Sequence, residues 1–536
     1  MDLQGSFHVY DTTLRDGAQQ EGLNLSVADK LTIARLIDQL GVGYVEGGWP
    51  GANPKDTEFF RRAQDELELR HARLAAFGST RRAGIAAADD PLVAALRDSG
   101  ARTACLVAKS HDRHVELALR TTLEENLAMV RDTVTHLRTE GLEVFVDAEH
   151  FFDGYRRNRD YALEVVRTAA EAGADVVALC DTNGGMLPHW VGETVADVIA
   201  ATGARVGIHA HNDTGCAVAN SIAAVEAGAT HVQGCLNGYG ERTGNADLVT
   251  AVANIELKLG RQVLPEGLLR EATRIAHAVA DVTNFPPASR QPYTGTSAFA
   301  HKAGLHASAI KVDPDLYQHL DPVAVGNDMR LLVSDMAGRA SIELKGRELG
   351  FDLSGDDRKE LVGRVTARVK ELESRGYTFE AADASFELLL VEEVEGRRPS
   401  YVDVESWRVI TETAVGSAPG ADSPALSEAT VKLRAAGVRH VVTGEGNGPV
   451  NALDEALRIA IGRAYPEVEK MELIDYKVRI LDQGHGTDAI TRVLITTTDG
   501  ESSWVTVGVG ANVIEASWGA LLDGFTYGLR RRRGDA

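Results

Sequence analysis

The chain has 536 residues, 44% of them hydrophobic, and its formal net charge at pH 7 is −22. That length is enough for a large barrel and at least one further domain. The negative charge argues against nucleic acid or anionic lipid as a partner. No stretch approaches the ~20 apolar residues of a membrane span, and the first residues lack the basic and apolar pattern of a signal peptide. We therefore expect a cytoplasmic protein that binds neither nucleic acid nor membrane.

Short apolar, β-branched runs alternate with longer helical patterns through the first half of the chain. Eight runs are predicted to be strands: Phe7–Leu14, Tyr44–Gly47, Arg73–Phe77, Arg102–Ala108, Leu142–Glu149, Asp175–Asp181, Arg205–His211 and His231–Leu236. Eight strand–helix units in ~250 residues predict an α/β fold, a (β/α)8 TIM barrel. A doubly wound sheet is the alternative, and the lack of a glycine-rich fingerprint after the first strand disfavours it.

The rest of the chain has a different pattern. A helical stretch ends near Pro286-Pro287, which marks a plausible exit from the barrel. From about residue 398 the sequence repeats itself, because Thr443–Gly446 aligns with Val507–Gly510 and each run precedes a helical pattern. We predict a barrel over 1–285, a linker with small subdomains over 286–397, and an α+β domain with two-fold internal symmetry over 398–536.

Polar side chains follow two strands that are near neighbours in a closed barrel. Arg15 and Asp16 follow the first, and His209 and His211 end the seventh. Residues two apart on a strand face the same side, so both imidazoles aim into one space. Two histidines and a carboxylate can hold a divalent metal with open positions. The bland alternatives are a structural Arg–Asp ion pair and two inward histidines satisfied by hydrogen bonds.

Three other strand ends carry polar groups to the same rim, where TIM barrels place their active sites. Glu149 ends the fifth strand and is a candidate acid/base or outer-shell partner of the metal. Thr182 follows the sixth strand and is a candidate for binding a carboxylate. A glycine-rich polar loop, 238–246, follows the eighth strand. Each signal is weak alone, and their convergence on one rim favours an active site.

Three of these segments, 11–17, 209–213 and 240–246, resemble the 2-isopropylmalate, homocitrate and citramalate synthases. The resemblance covers nearly the whole chain. The run 46–56, Glu-Gly-Gly-Trp-Pro-Gly-Ala-Asn-Pro-Lys-Asp, looks like the citramalate branch. The tail looks like the two-fold regulatory domain of the members that respond to amino acids.

The resemblance implies roles for individual residues. Asp16, His209 and His211 match the metal ligands, and Asn245 matches the residue that completes the metal's surroundings. Three further matches concern the substrates. They are Arg15 for polarising the keto oxygen, Thr182 for holding the keto-acid carboxylate and Glu149 for an acidic group near the reacting carbons. His306, the last residue of the segment 299–306, matches the base. In the family this segment reaches the partner subunit's barrel, which implies a homodimer.

The implied reaction joins acetyl-CoA to pyruvate with a divalent metal (Mn, Mg or Zn) and then hydrolyses the thioester, as the first step of a threonine-independent route to isoleucine. A metal acts as a Lewis acid on the keto acid. A histidine, with an ordinary pKa near 6.5, suits removal of a methyl proton. The alternatives are a 2-isopropylmalate synthase, which accepts 2-ketoisovalerate, a metal-dependent acyl-CoA lyase, and a non-catalytic amino-acid sensor.

The tail has two readings. It is either a dimerisation module or an allosteric site for a branched-chain amino acid, with isoleucine expected before leucine. The glycine-rich turns Gly444–Gly448 and Gly508–Gly510 lead into helix N-termini, which could receive a ligand carboxylate.

Overall fold

The computed structural model describes residues 7–334, 338–412, 426–481 and 489–534. They form two compact units, one of residues up to Phe299 with Leu320–Asp328, and the other of Ala300–His319 with Met329 onward. No described helix is long and apolar enough to cross a membrane. The three-part division at 285 and 397 stays a prediction.

The first unit is a closed barrel of eight parallel strands in sequence order, with β1 hydrogen-bonded to both β2 and β8. The strands β1–β8 are His8–Asp11, Tyr44–Gly48, Arg73–Ser79, Thr103–Lys109, Glu143–Glu149, Val176–Asp181, Val206–Ala210 and His231–Gly234. The outer helices of seven or more residues, α1–α10, are Val27–Leu40, Pro54–Glu66, Pro91–Arg97, Leu123–Thr139, Phe151–Arg157, Arg159–Glu171, Pro188–Thr202, Ala217–Glu226, Leu248–Leu257 and Ala272–Thr283. The predicted TIM barrel is confirmed.

The predicted first strand was too long. β1 ends at Asp11, because the Asp11 carboxylate accepts hydrogen bonds from the Thr13 backbone N–H and hydroxyl, both at 2.9 Å. An aspartate that bonds the backbone two residues ahead favours a turn over continued strand pairing. Arg15 and Asp16 therefore lie on a turn and not on the strand, and both of their N–H groups donate to the Thr12 carbonyl.

The second unit opens with a short parallel pair, β9 (Ala300–His301) and β10 (Arg330–Leu331). Its helices α11–α16 are Gly304–Ile310, Arg339–Glu348, Lys359–Ser374, Asp383–Glu395, Pro449–Gly462 and Val513–Arg533. Two antiparallel three-stranded sheets follow, and their strands β11–β16 are Val402–Glu412, Leu426–Ala435, Val438–Gly446, Glu472–Ile480, Thr491–Thr498 and Ser503–Gly510. Each sheet is followed by a long helix, so the predicted two-fold repeat is confirmed.

The repeated glycines of this domain have a packing role. A Cβ on Gly444 of β13 would lie 2.3 Å from the Ala456 backbone nitrogen in α15. A Cβ on Gly508 of β16 would lie 1.9 Å from the Ala516 carbonyl oxygen in α16. Only glycine allows strand and helix to approach this closely. The repeat therefore reflects two equivalent strand–helix contacts.

Candidate active site and metal centre

The turn after β1 places Asp16 beside His209 of β7 and His211, which directly follows β7. Asp16 Oδ2 lies 3.1 Å from His209 Nε2 and 3.5 Å from His211 Nε2. The two Nε2 atoms are 3.1 Å apart, and all three side chains are buried. These three atoms, each able to ligate a metal, face one another as the sequence predicted.

Asn245 offers a carbonyl oxygen as a fourth candidate ligand. Its backbone pairs with that of His211, and its side chain is buried. Its Nδ2 donates to the Tyr239 carbonyl at 3.1 Å, whereas its Oδ1 is buried with no hydrogen-bond partner among the described residues. Gly244, at φ +90°, makes the turn that places Asn245 here. A buried carbonyl oxygen without a partner costs free energy unless a ligand satisfies it, so the four residues fit a divalent metal.

The electrostatics keep Asp16 ready to ligate. Burial disfavours its charged form, but Arg15 and the hydrogen bonds from both histidines outweigh burial and hold the pKa of Asp16 well below its usual range. Burial also opposes protonation of His209, but the bond to Asp16 leaves the pKa of His209 raised. The carboxylate is therefore ionised across the neutral range.

Arg15 bonds to a buried glutamate and lies against an aromatic ring. Its Nε donates to Glu46 Oε2 at 2.6 Å, and Glu46 Oε1 accepts from the Tyr10 hydroxyl at 2.8 Å. The guanidinium carbon lies 3.8 Å from the centre of the Phe77 ring, and Trp49 meets that ring edge-on. Burial raises the pKa of Glu46, and Arg15 opposes the rise. The arginine thus sits beside the metal ligands in a fixed orientation.

Thr182 and Glu149 lie at the same rim with partners of their own. Thr182 Oγ1 accepts a hydrogen bond from the His150 backbone N–H at 2.8 Å, which leaves its own hydroxyl proton free to donate. Glu149 forms an ion pair with Lys109, and both side chains are about three-quarters buried. The roles predicted for Thr182 and Glu149 remain predictions.

Arg242 lies in the segment 240–246, and the sequence alone predicted no role for it. Its Nη2 lies 2.9 Å from three groups: His211 Nδ1, the Thr182 carbonyl oxygen and Asp213 Oδ2. It therefore links a candidate metal ligand to a candidate substrate-binding residue. The signal was its place four residues after Gly238 in the loop that follows β8, but nothing in the sequence named its contacts.

His306 lies in the second unit, on the seven-residue helix α11. Its ring stacks on Tyr317 with the centroids 4.1 Å apart, and His301 lies 6.1 Å away. Leu305, next to it in the chain, is 73% exposed, and Val312 of the same segment is 82% exposed. His306 and the candidate metal ligands therefore belong to different units, and the role of His306 as base remains a prediction.

Comparison with known proteins places this site in a family. Residues 6–279 match the HMGL-like family model, 293–376 match the homocitrate synthase post-HMGL domain, and 380–529 match the LeuA allosteric (dimerisation) domain. The chain is 68% identical to the (R)-citramalate synthase of Streptomyces coelicolor over 99% of this chain and 98% of that protein. The chain belongs to the family of 2-isopropylmalate, homocitrate and citramalate synthases.

The sequence identity of this chain to other known proteins varies widely. A second (R)-citramalate synthase, from a Synechocystis species, is 47% identical over 98% of this chain and 96% of that protein. The 2-isopropylmalate synthase of Methanocaldococcus jannaschii is 29% identical over 99% of this chain and 96% of that protein. A solved HMG-CoA lyase from Pseudomonas aeruginosa is 19% identical and covers 53% of this chain and 96% of its own, with a TM-score of 0.44.

Proposed function

We propose that this chain is a citramalate synthase that condenses acetyl-CoA with pyruvate. The methyl carbon of acetyl-CoA loses a proton and bonds to the keto carbon of pyruvate, whose oxygen takes up a proton. Water then cleaves the thioester to give citramalate and CoA. The observation that carries the proposal is the Asp16–His209–His211 cluster beside Arg15, in a chain 68% identical to an (R)-citramalate synthase.

Each rim residue has a task in this reaction. A divalent metal (Mn, Mg or Zn) held by Asp16, His209, His211 and Asn245 would act as a Lewis acid toward the keto acid. Arg15 supplies positive charge where the alkoxide oxygen develops, and its bond to Glu46 keeps it in place. Thr182 donates a hydrogen bond from its hydroxyl group to the substrate carboxylate.

His306 acts as the base that removes the proton from acetyl-CoA, and Glu149 assists near the reacting carbons. General bases commonly contribute 10²–10⁴-fold to such steps. We propose a homodimer in which His306 serves the barrel of the partner subunit. The exposed apolar side chains of the segment that carries His306, Leu305 and Val312, support a covering partner. The match of the tail to a dimerisation domain supports it as well.

A small acceptor suits the surroundings of Arg15. The aromatic pair Phe77 and Trp49 occupies the space on one side of the guanidinium. Large rigid rings next to the keto-acid site leave room for a methyl group more readily than for an isopropyl group. This supports pyruvate over 2-ketoisovalerate.

The direct test is CoA release by the purified, metal-supplemented protein with acetyl-CoA and each of pyruvate, 2-ketobutyrate, 2-ketoisovalerate and 2-ketoglutarate. We expect a clear preference for pyruvate. Preference for 2-ketoisovalerate would make the enzyme a 2-isopropylmalate synthase with the same metal and mechanism. No release with any acceptor would contradict the proposal.

We also propose that the tail binds a branched-chain amino acid, isoleucine before leucine, as a feedback effector. A cavity of about 600 Å³ lies at the N-terminus of α15, next to Gly448, Val450, Asp454 and Leu473. The helix N-terminus favours a carboxylate, and Asp454, whose Oδ1 is buried without a partner among the described residues, offers an acceptor for an ammonium group. Val450 and Leu473 suit an aliphatic side chain.

A further inference from the structure

A chain of buried hydrogen bonds starts at His209 Nδ1, the ring nitrogen that does not face Asp16. His209 Nδ1 lies 2.8 Å from Gln233 Oε1, and Gln233 Nε2 donates to Asp147 Oδ1 at 2.7 Å. None of the three residues is more than 5% exposed. His209 and Gln233 are register partners on the neighbouring strands β7 and β8, and Asp147 lies on β5.

The direction of this chain follows from which groups can donate. A carboxyl oxygen accepts from an amide N–H, so the Gln233 amide turns its nitrogen toward Asp147 and its oxygen toward His209. An amide oxygen only accepts, and therefore the hydrogen must be on His209 Nδ1. Nε2 is then the nitrogen that faces Asp16 Oδ2, at 3.1 Å, and a bound metal would take the place of the hydrogen between them.

The barrel interior around Gln233 is unusually polar. TIM-barrel interiors are dominated by branched apolar residues, yet Asp147, Glu46 and Cys105 place their polar atoms within 4.8 Å of one another here. A buried amide between two strands is costly unless both ends are bonded. Gln233 meets that condition only because it joins Asp147 to His209. The same layer holds Arg15 through Glu46.

We propose that Gln233, oriented by Asp147, is a positioning residue that fixes His209 in the Nδ1–H tautomer and so presents its Nε2 lone pair to a divalent metal. The inference rests on the metal site of the proposed function but concerns metal affinity and not the reaction. Partners that fix the orientation of a metal-binding histidine typically change metal affinity 10–100-fold when removed.

The test is calorimetric titration of the EDTA-stripped, full-length protein with Mn²⁺ in the absence of substrates. Gln233→Leu removes both hydrogen bonds at similar volume, and we expect its Kd for Mn²⁺ to rise by about 10–100-fold. The matched control is the double variant Gln233→Glu with Asp147→Asn. The introduced glutamate still accepts from His209 Nδ1–H, and the introduced asparagine donates to it, so we expect a Kd within about threefold of the unmodified protein.

Unfolding midpoints in EDTA show whether each variant is folded. If Gln233→Leu does not fold, Gln233→Asn keeps an amide but is one methylene too short to span His209 and Asp147, and we expect the same loss of affinity. Unchanged Mn²⁺ affinity in the folded Leu or Asn variant would overturn the inference, as would a double variant that binds as weakly as Gln233→Leu. A native protein that binds Mn²⁺ but releases no CoA would overturn the proposed function alone.

Discussion

The candidate metal ligands and the predicted base lie in contrasting surroundings. Asp16, His209 and His211 are buried at strand ends of one closed barrel, with their ligand atoms 3.1–3.5 Å apart. His306 lies in another compact unit, on a helix of seven residues with largely exposed apolar neighbours. The candidate metal ligands come together within one unit, whereas the action of the predicted base would depend on what covers its helix.

This difference suggests that metal binding and proton removal can be separated by mutation. Side chains on barrel strands hold their geometry through many backbone hydrogen bonds, so the metal site needs no other segment. A base on a connecting segment reaches the reacting atoms only after that segment docks. Variants of the two parts should therefore fail in different ways.

The largest effect is expected from His209→Ala. Loss of a ligand removes the metal and with it several kcal/mol of transition-state stabilisation, which corresponds to a fall in kcat/KM of about 10³-fold or more. Mn²⁺ titration and CoA release should fail together. The matched control is His189→Ala, an exposed histidine at the start of α7, which should retain both. Retained Mn²⁺ affinity in His209→Ala would show that the ligand assignment is wrong.

A smaller but still large effect is expected from His306→Gln. We expect kcat to fall by about 10²-fold or more because the base is lost, while the Kd for Mn²⁺ stays at its original value. His301→Gln, a second histidine of the same segment, is the matched control and should retain most activity. Equal losses in the two variants would argue for a structural role of the segment instead of a base at His306.

Mixing the two variants tests whether His306 acts on the barrel of the partner subunit. His209→Ala and His306→Gln should each retain little activity, but random exchange of subunits should restore about a quarter of the original activity if each base serves the partner's barrel. Activity of the mixture is compared with each variant alone. No recovery after confirmed exchange would mean that His306 acts on its own chain.

Phe77→Leu should change specificity more than rate. Removing part of the ring beside Arg15 opens space for one more methylene, and we expect kcat/KM for 2-ketobutyrate relative to pyruvate to rise about tenfold. The KM for acetyl-CoA serves as the internal control and should not change. An unchanged acceptor preference would place the keto acid away from the Phe77 ring.

The smallest effect is expected in the tail. Isoleucine at 100 times its Kd would stabilise the domain that binds it by about 2.7 kcal/mol, which a thermal-shift titration detects as a rise of a few degrees in Tm. Asp454→Asn should reduce that rise without altering uninhibited activity. The absence of any shift with isoleucine, leucine or valine would contradict an effector site.

Much of the barrel could be predicted from the chain alone because its signals are local. Apolar runs of strand length, alternating with helical patterns, located all eight strands. The pairing of Arg15-Asp16 with His209-x-His211 was also visible, since the carboxyl ends of all strands in a closed parallel barrel meet at one rim. The position of His306 relative to a barrel was not visible, because it depends on how whole units and subunits assemble.

Short-range periodicity and local motifs account for the barrel, the internal repeat of the tail and the residue types of the candidate metal centre. The contacts of Arg242, the aromatic pair beside Arg15 and the Asp147–Gln233–His209 chain became visible only in the folded protein. Those features join residues far apart in the chain. A glutamine or aspartate inside a strand shows its partner only when the barrel closes around it.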